Sequence, residues 1–470
     1  MRLKKPVTEA RTVGELKSAG YKILSVRDEM RRNLITKLAD SEEIFPGIIG
    51  YQDTVVPQIE NAILSGQDII LLGERGQAKS RIIRSLVSLL DEYIPILDEV
   101  EIPEDPFYPI SAQGKQLIAD KGDDAPLRWL HRDHRYGEKL ATPDITIADL
   151  IGEIDPIKIA EGRYLTDEEA LHLGLVPHTN RGIFAINELP DLAERIQVGL
   201  LNVMEERDIQ IRGHKVRLDL DILIVATANP EDYTNRGRII TPLKDRYGSQ
   251  IRTHYPESLI EEITIVEQEQ RKLDLGEYKE DAPVYMSQII AEITQQARQS
   301  ADINQRSGVS VRASVANFES LMANALRRSI AIGEQDIVPR ISDLPFIMPS
   351  LQGKIEFEAM EDGHEEKIME KLFTDAIKSV FERFTEISDM EEISLQFAEG
   401  LHVTTGESVP SGDYASIIKR VSGLDEAVSK IASSDSPAAQ ASAVEFILEG
   451  LHINQLLNKD RVGGRNTYRG

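Results

Sequence analysis

The stretch GQDIILLGERGQAKSRIIRSLVSLL, Gly66 to Leu90, decides the fold. Asp68 to Leu72 is a short apolar run that reads as a strand. GERGQAKS, Gly73 to Ser80, follows as a turn, and Ser80 to Leu90 has helical spacing. Strand, small-residue loop and helix in this order make the first half of an α/β unit. In such a loop the backbone N–H groups of Gly73, Glu74, Arg75, Gly76, Gln77 and Ala78 can curl round an anion where the helix begins. Lys79 can then reach β- and γ-phosphates, and the Ser80 hydroxyl can ligate Mg²⁺. The usual pattern has glycine where Ala78 stands. A methyl group there is expected to require a helical, negative φ.

A second apolar run, GIFAINELPDL from Gly182 to Leu192, ends on Asn187-Glu188. A buried strand that ends on a polar pair delivers that pair to a site. Next to a phosphate loop it reads as a Walker B element, with Glu188 as the general base that polarises an attacking water. The preceding residue, which helps hold Mg²⁺, is usually Asp. Asn187 keeps an acceptor oxygen and lacks the charge, so weaker Mg²⁺ binding is expected, and Asn187→Asp is expected to tighten Mg²⁺–ATP. A third run, DILIVATANP, ends on Asn229. That strand is expected to lie between the other two, where its amide can position the hydrolytic water or sense the γ-phosphate.

The bulk properties narrow the choice. The chain has 470 residues, 41% of them hydrophobic, enough for two or three domains. With 54 Lys plus Arg against 79 Asp plus Glu, the net charge is −25. Sequence-independent binding of nucleic acid or of anionic membranes is not expected of such a chain. Cysteine is absent, which excludes disulfides, zinc–thiolate sites and thiol chemistry. The N-terminus starts basic without an apolar run, and no stretch of about 18 apolar residues occurs. A soluble cytoplasmic protein is expected.

The remaining elements are read by periodicity. Residues 1–43 form a polar helical segment, and Thr54 to Leu64 a helix. Residues 91 to about 145, rich in Asp, Pro and Gly, give no clear pattern. Within them WLHRDHRYGEK reads as a loop, and the His131-x-x-His134 spacing as a solvated feature rather than a metal site. DITIADLIGEIDPIKIAEGRYL reads as a short helix and a hairpin turning at Glu161-Gly162, DEEALHLGLV as a short helix, and LAERIQVGLLNVMEE as an amphipathic helix. RDIQIRGHKVRLDLD reads as a hairpin and QIRTHYP as a last strand. Beyond Pro256 the pattern is helical, and the terminal KDRVGGRNTYRG reads as a mobile tail.

Taken together these motifs resemble the AAA+ ATPases, in particular the clade of the magnesium chelatase I subunit and the MoxR-type proteins. The Ala-Lys-Ser ending of the loop is common in MoxR-type chains. FPGIIGYQDTV resembles the segment lining the adenine pocket, which implies roles for Ile49, Gly50 and Tyr51. DLIGEID…GRYL resembles the clade's helix 2 insertion, and RDIQIRGHKVRLDLD its hairpin before sensor 1. PLKDRYGSQI resembles the segment supplying an arginine finger, here Arg246 followed by Tyr247 in place of Phe. SGVSVRASVANF resembles the start of the sensor 2 helix, here Arg312. The resemblance spans residues 44 to about 345.

The resemblance implies a P-loop α/β core, a parallel sheet flanked by helices, over residues 44–257. A helical lid over 258–350 and an acidic, mostly helical extension over 351–470 follow. It implies ATP and Mg²⁺ as cofactors, Lys79, Glu188, Asn229, Arg246 and Arg312 as catalytic residues, and Ser80 and Asn187 at the metal. It also implies a self-assembled, hexameric ring that hydrolyses ATP to remodel a von Willebrand A-type partner, in metal insertion or chaperone-like activation. A nucleotide-gated scaffold with weak turnover is the alternative that Asn187 suggests. A DNA-dependent AAA+ protein is disfavoured by the charge.

Overall fold

The computed structural model describes residues 10–154, 171–206, 209–211, 214–216, 218–229, 237–272, 275–305, 308–358 and 364–470. The chain divides into two compact units, Met1–His254 and Tyr255–Gly470.

The first unit is built on five strands: β1 Ile69–Leu72, β2 Tyr136–Leu140, β3 Gly182–Asn187, β4 Ile222–Ala228 and β5 Ser249–Arg252. They form one sheet in the order β5-β1-β4-β3-β2, with every neighbouring pair parallel. The three inner strands are continuous apolar runs because both faces of the sheet are covered. Alternate side chains still part to opposite sides. Ile70, Phe184, Ile186, Ile222, Ile224 and Ala226 join a core with Ile196, Leu200 and Val203 of helix Glu194–Glu206. Ile69, Leu71, Ile183, Ala185, Leu223 and Val225 pack on the other side with helices Val26–Ala39, Val55–Ser65 and Lys79–Ser85.

The N-terminal helix Val26–Ala39 is held by charge as well as by packing. Ser25 caps it, and the Asp221 carboxylate accepts from the Val26 backbone N–H, where the helix dipole favours an anion. Inside, Arg135 donates twice to Glu29, at 2.7 Å each, and its Nε donates to the Arg181 carbonyl at 2.7 Å. Both side chains are fully buried. Removing one member strands the other's charge, so Glu29→Ala is expected to cost about 3–5 kcal/mol. Replacing both with Met should cost far less. Urea unfolding followed through Trp129, the chain's single tryptophan, measures both.

Several sequence expectations need correction here. WLHRDHRYGEK is not a loop: Leu127–His131 pairs antiparallel with Tyr93–Leu97, a 3₁₀ turn follows, and Tyr136–Leu140 is the edge strand β2. The edge position explains the miss, since β2 has one neighbour and only Gly137 of its five residues is buried. DEEALHLGLV is not a helix throughout. Leu171–Leu173 pairs with Gly152–Ile154 as a strand and Leu175–His178 is helical, while residues 167–170 lie outside the described residues. The turn at Glu161-Gly162 lies outside the described residues. In the RDIQIRGHKVRLDLD segment, Ile209–Ile211 does pair with His214–Val216.

The second unit has one continuous apolar core, running from Val266 to Tyr468. Its long helices are Leu259–Glu269, Val284–Gln299, Val311–Ile332, His364–Phe384 and Pro437–Ile453. Helix Pro437–Ile453 is buried nearly all round, as its apolar composition requires. KDRVGGRNTYRG is not a loose tail. Asn458–Val462 and Arg465–Arg469 form a hairpin through Gly463-Gly464, whose φ values of +58° and +79° suit a two-residue turn. Val403–Gly406 adds a third strand. Lys459 donates to the buried Glu449 at 2.7 Å, and the Tyr468 hydroxyl donates to the same carboxylate, which anchors the hairpin.

Candidate functional site

The sheet order brings three polar strand ends to one edge. β4 lies between β1 and β3, so Asn229 falls between the loop that leaves β1 and Asn187-Glu188 at the end of β3. In open parallel sheets this carboxyl edge, where the strand order reverses, is where ligands bind.

The loop after β1 is tied down by its own residues. Gly73 donates its N–H to the Ala228 carbonyl at 3.1 Å. A Cβ on Gly73 would stand 1.9 Å from Thr253 Oγ1 and 2.2 Å from Gln77 Oε1, so any other residue there would push both side chains out of their hydrogen bond. Gln77 is buried and accepts from the Glu74 N–H at 3.0 Å and from the Thr253 hydroxyl at 2.6 Å, which fastens the loop to the end of β5. The Tyr51 hydroxyl lies 3.0 Å from the Gln77 carbonyl and 2.7 Å from that of His254. Of the predicted adenine-pocket residues, Tyr51 is buried, and Ile49 and Gly50 are partly exposed beside it. Arg75 is exposed at the loop's tip.

Ala78 departs from expectation. Its φ is +54°, in the left-handed region, with Gly76 at +75° before it. Closing the loop onto the helix at Lys79 requires that conformation whether or not glycine supplies it. For alanine it costs about 1–2 kcal/mol. Ala78→Gly removes that strain and loosens the unfolded chain by about 0.4–1 kcal/mol. A net gain of roughly 0.5–1 kcal/mol is expected, read as a higher melting temperature. Had Ala78 been helical, the same change would destabilise by a similar amount.

Lys79 is 7% exposed. Its ammonium donates to the carbonyls of Gly73 and, at 2.7 Å, Glu74, and so lies within the loop. The Ser80 hydroxyl is 3.4 Å from Asn187 Oδ1, and the Thr227 hydroxyl is equally close to the same atom. The Asn187 amide donates to Glu138 of β2. Glu138 in turn accepts from Arg84 Nε at 2.8 Å and Nη2 at 2.9 Å. Those bonds, chiefly, hold its carboxyl below the usual range. Ser80, Asn187, Glu138 and Glu188 offer hard oxygen donors only, which fits Mg²⁺ chemically, with the amide supplying less charge than a carboxylate.

Glu188 is left-handed, at φ +56°, and its N–H donates to the Thr227 hydroxyl at 3.0 Å. Backbone strain of this kind gathers at working sites. The Asn229 side chain is 3% exposed, and its Oδ1 has no hydrogen-bond partner among the described residues. A buried carbonyl left unmet is costly unless a ligand or water meets it.

Known proteins share parts of this sequence. The model of the sigma-54 interaction domain matches residues 159–243, a minor part of the chain. The magnesium-chelatase subunit ChlI of Nostoc sp. is 26% identical over 266 residues, 53% of this chain and 63% of that relative. The match thus spans less than two thirds of the relative's length. ChlI of Euglena gracilis is 28% identical over 283 residues, 54% of this chain and 73% of the relative. The chain is an AAA+ protein similar to the magnesium chelatase I subunits. A cryo-EM-based complex of the magnesium chelatase subunits BchI and BchD covers 69% of this AAA+ chain and 98% of that chain at 17% identity, with a TM-score of 0.35.

Other expected site residues of the AAA+ chain lie on other elements. Arg246 ends helix Thr241–Arg246 and is exposed. It pairs with Glu205 of helix Glu194–Glu206 and lies 3.6 Å from Asp245. Arg312 is exposed in the first turn of helix Val311–Ile332, which Ser310 caps, within the second unit. Arg238 is exposed, and Arg236 lies outside the described residues. His131 is 3.3 Å from Asp133, and its ring packs on Tyr93. No group of three or more His, Asp or Glu side chains that could hold a metal occurs among the described residues. Nor is any described helix long and apolar enough to cross a membrane.

Sequence reasoning missed Glu138, Arg84, Thr227 and Thr253. Arg84 follows Lys79 on the same short helix, one turn beyond Ser80, so the pattern Lys-Ser-x-x-x-Arg was open to view. Glu138 had no such signal while its strand read as loop.

Proposed function

We propose that this chain binds and hydrolyses ATP as an AAA+ motor. The observation that carries the reading is the shared carboxyl edge of β1, β4 and β3. At that edge lie a buried Lys79, an Asn229 carbonyl unmet among the described residues and the Asn187-Glu188 pair. Backbone groups of the loop and Lys79 hold the phosphates, Glu188 takes a proton from the attacking water, and Asn229 positions that water. Mg²⁺, held by Ser80 and Asn187 with the nucleotide, neutralises phosphate charge when bound. Arg246 acts on the ATP of a neighbouring subunit and Arg312 answers to the nucleotide from the lid, which couples turnover to assembly.

The ring, hexameric by resemblance, drives a partner of the von Willebrand A type, either for metal insertion or for chaperone-like remodelling. The net charge of −25 supports a protein client over nucleic acid. Asn187 favours a second reading, a nucleotide-gated scaffold with weak turnover. Equilibrium titration with a fluorescent ATP analogue tests the shared premise. Lys79→Ala is expected to weaken binding by at least about tenfold, the loss of a charge-assisted contact to phosphate. Equal binding by both proteins would remove the nucleotide from this site. Binding with no turnover, alone or with a partner, would favour the scaffold.

A further inference from the structure

We propose that Glu138 is a positioning residue of the metal–nucleotide site: it turns the Asn187 amide so that Oδ1 faces Ser80, and it supplies from β2 the negative charge that position 187 lacks. The inference rests on the ATP reading above and extends it to a residue on a different strand.

The geometry is specific. β2 and β3 run parallel, with Glu138 opposite Ala185 and Leu140 opposite Asn187. From that register the Asn187 Nδ2 group donates to Glu138 Oε1. An amide has one donating end and one accepting end. With the donating end committed to Glu138, the accepting end faces the hydroxyls of Ser80 and Thr227, each 3.4 Å away. Asn187 is 8% exposed. Arg84, from the helix that begins at Lys79, grips both oxygens of Glu138. The loop helix, β2 and β3 are thereby joined through one carboxylate.

This arrangement reverses a simple expectation. From sequence alone, Asn187→Asp restores the usual residue and should tighten Mg²⁺–ATP. In the structure, an aspartate at 187 would set its carboxylate against that of Glu138 at hydrogen-bond distance. Like charges so close repel, and one must turn away or take up a proton. Asn187 and Glu138 are therefore a matched pair. Making Asn187→Asp and Glu138→Gln together gives the matched alternative, with the hydrogen bond reversed and the charge moved to β3.

The test is a double-mutant cycle on the full chain: wild type, Asn187→Asp, Glu138→Gln and the double variant. The readout is affinity for a fluorescent ATP analogue with and without Mg²⁺, together with the melting temperature of each protein. Each single change is expected to weaken the Mg²⁺-dependent part of the affinity by about tenfold, and the double to return within about twofold of wild type. The melting temperatures, measured on the same four proteins, separate the effect from misfolding. If Asn187→Asp alone tightens Mg²⁺–ATP, or if the two single effects simply multiply in the double, the pairing is wrong while the ATP reading stands. If wild type shows no ATP affinity and Lys79→Ala changes nothing, the ATP reading fails and takes this inference with it. Should Glu138→Gln lower the melting temperature sharply, Arg84→Met serves in its place. It leaves the Glu138–Asn187 bond and should shift Mg²⁺-dependent affinity less than Glu138→Gln; an equal or larger shift would overturn the role given to Glu138.

Discussion

Replacing Arg246 with alanine is expected to lower ATP turnover by about 10³–10⁵-fold, the effect of removing an arginine that meets transition-state charge on a neighbour's phosphate. Within one chain Arg246 is an exposed side chain paired with Glu205 and near Asp245. A surface pair of that kind contributes only about 0–1 kcal/mol. If that were its whole role, Arg246→Ala would leave turnover close to wild type. Mixing makes the distinction sharper. An Arg246→Ala subunit keeps its own Glu188, and a Glu188→Gln subunit keeps its own Arg246. Combined, the two inactive proteins should regain part of the activity where one lends its arginine to the other. No recovery on mixing would count against an arginine acting between subunits.

Glu188→Gln is expected to lower the hydrolysis rate by about 10²–10⁴-fold while ATP still binds. Glutamine keeps the length of the side chain and its place at the left-handed strand end, where φ is +56°. What it loses is the ability to take a proton from water. Single-turnover hydrolysis with saturating ATP, beside a binding titration, measures both quantities. A rate within a few-fold of wild type would move the base elsewhere, with Glu138 the next carboxylate to examine, since it already bonds Asn187.

The parts of the fold that were legible in the sequence are those buried on both sides. IILL, GIFAIN and ILIVATA are apolar but for Asn187 and Thr227, because helices cover both faces of the sheet at β1, β3 and β4. Their polar ends named Lys79, Ser80, Asn187, Glu188 and Asn229 at once. β2 was hidden because an edge strand needs fewer apolar residues, and YGEKL offers two charges in five positions. Glu138 was lost with it. Ala78 was misjudged for a different reason: loop closure decides its φ, and side-chain preference only sets the cost. At the far end, glycines were read as looseness. Gly463-Gly464 between NKDRV and RNTYR is a hairpin signal, and the buried Glu449 that holds Lys459 and Tyr468 lies in a separate helix.

The central claim is that this AAA+ chain turns over ATP as an assembly, with its base in one subunit and its arginine in the next. The most direct measurement is the rate of Mg²⁺-dependent ATP hydrolysis per subunit across a wide range of protein concentration, for wild type and Glu188→Gln. The account predicts a wild-type rate that climbs with concentration to a plateau and a variant that stays at background throughout. A rate per subunit that is constant down to the most dilute sample, or one that survives in Glu188→Gln, would contradict it.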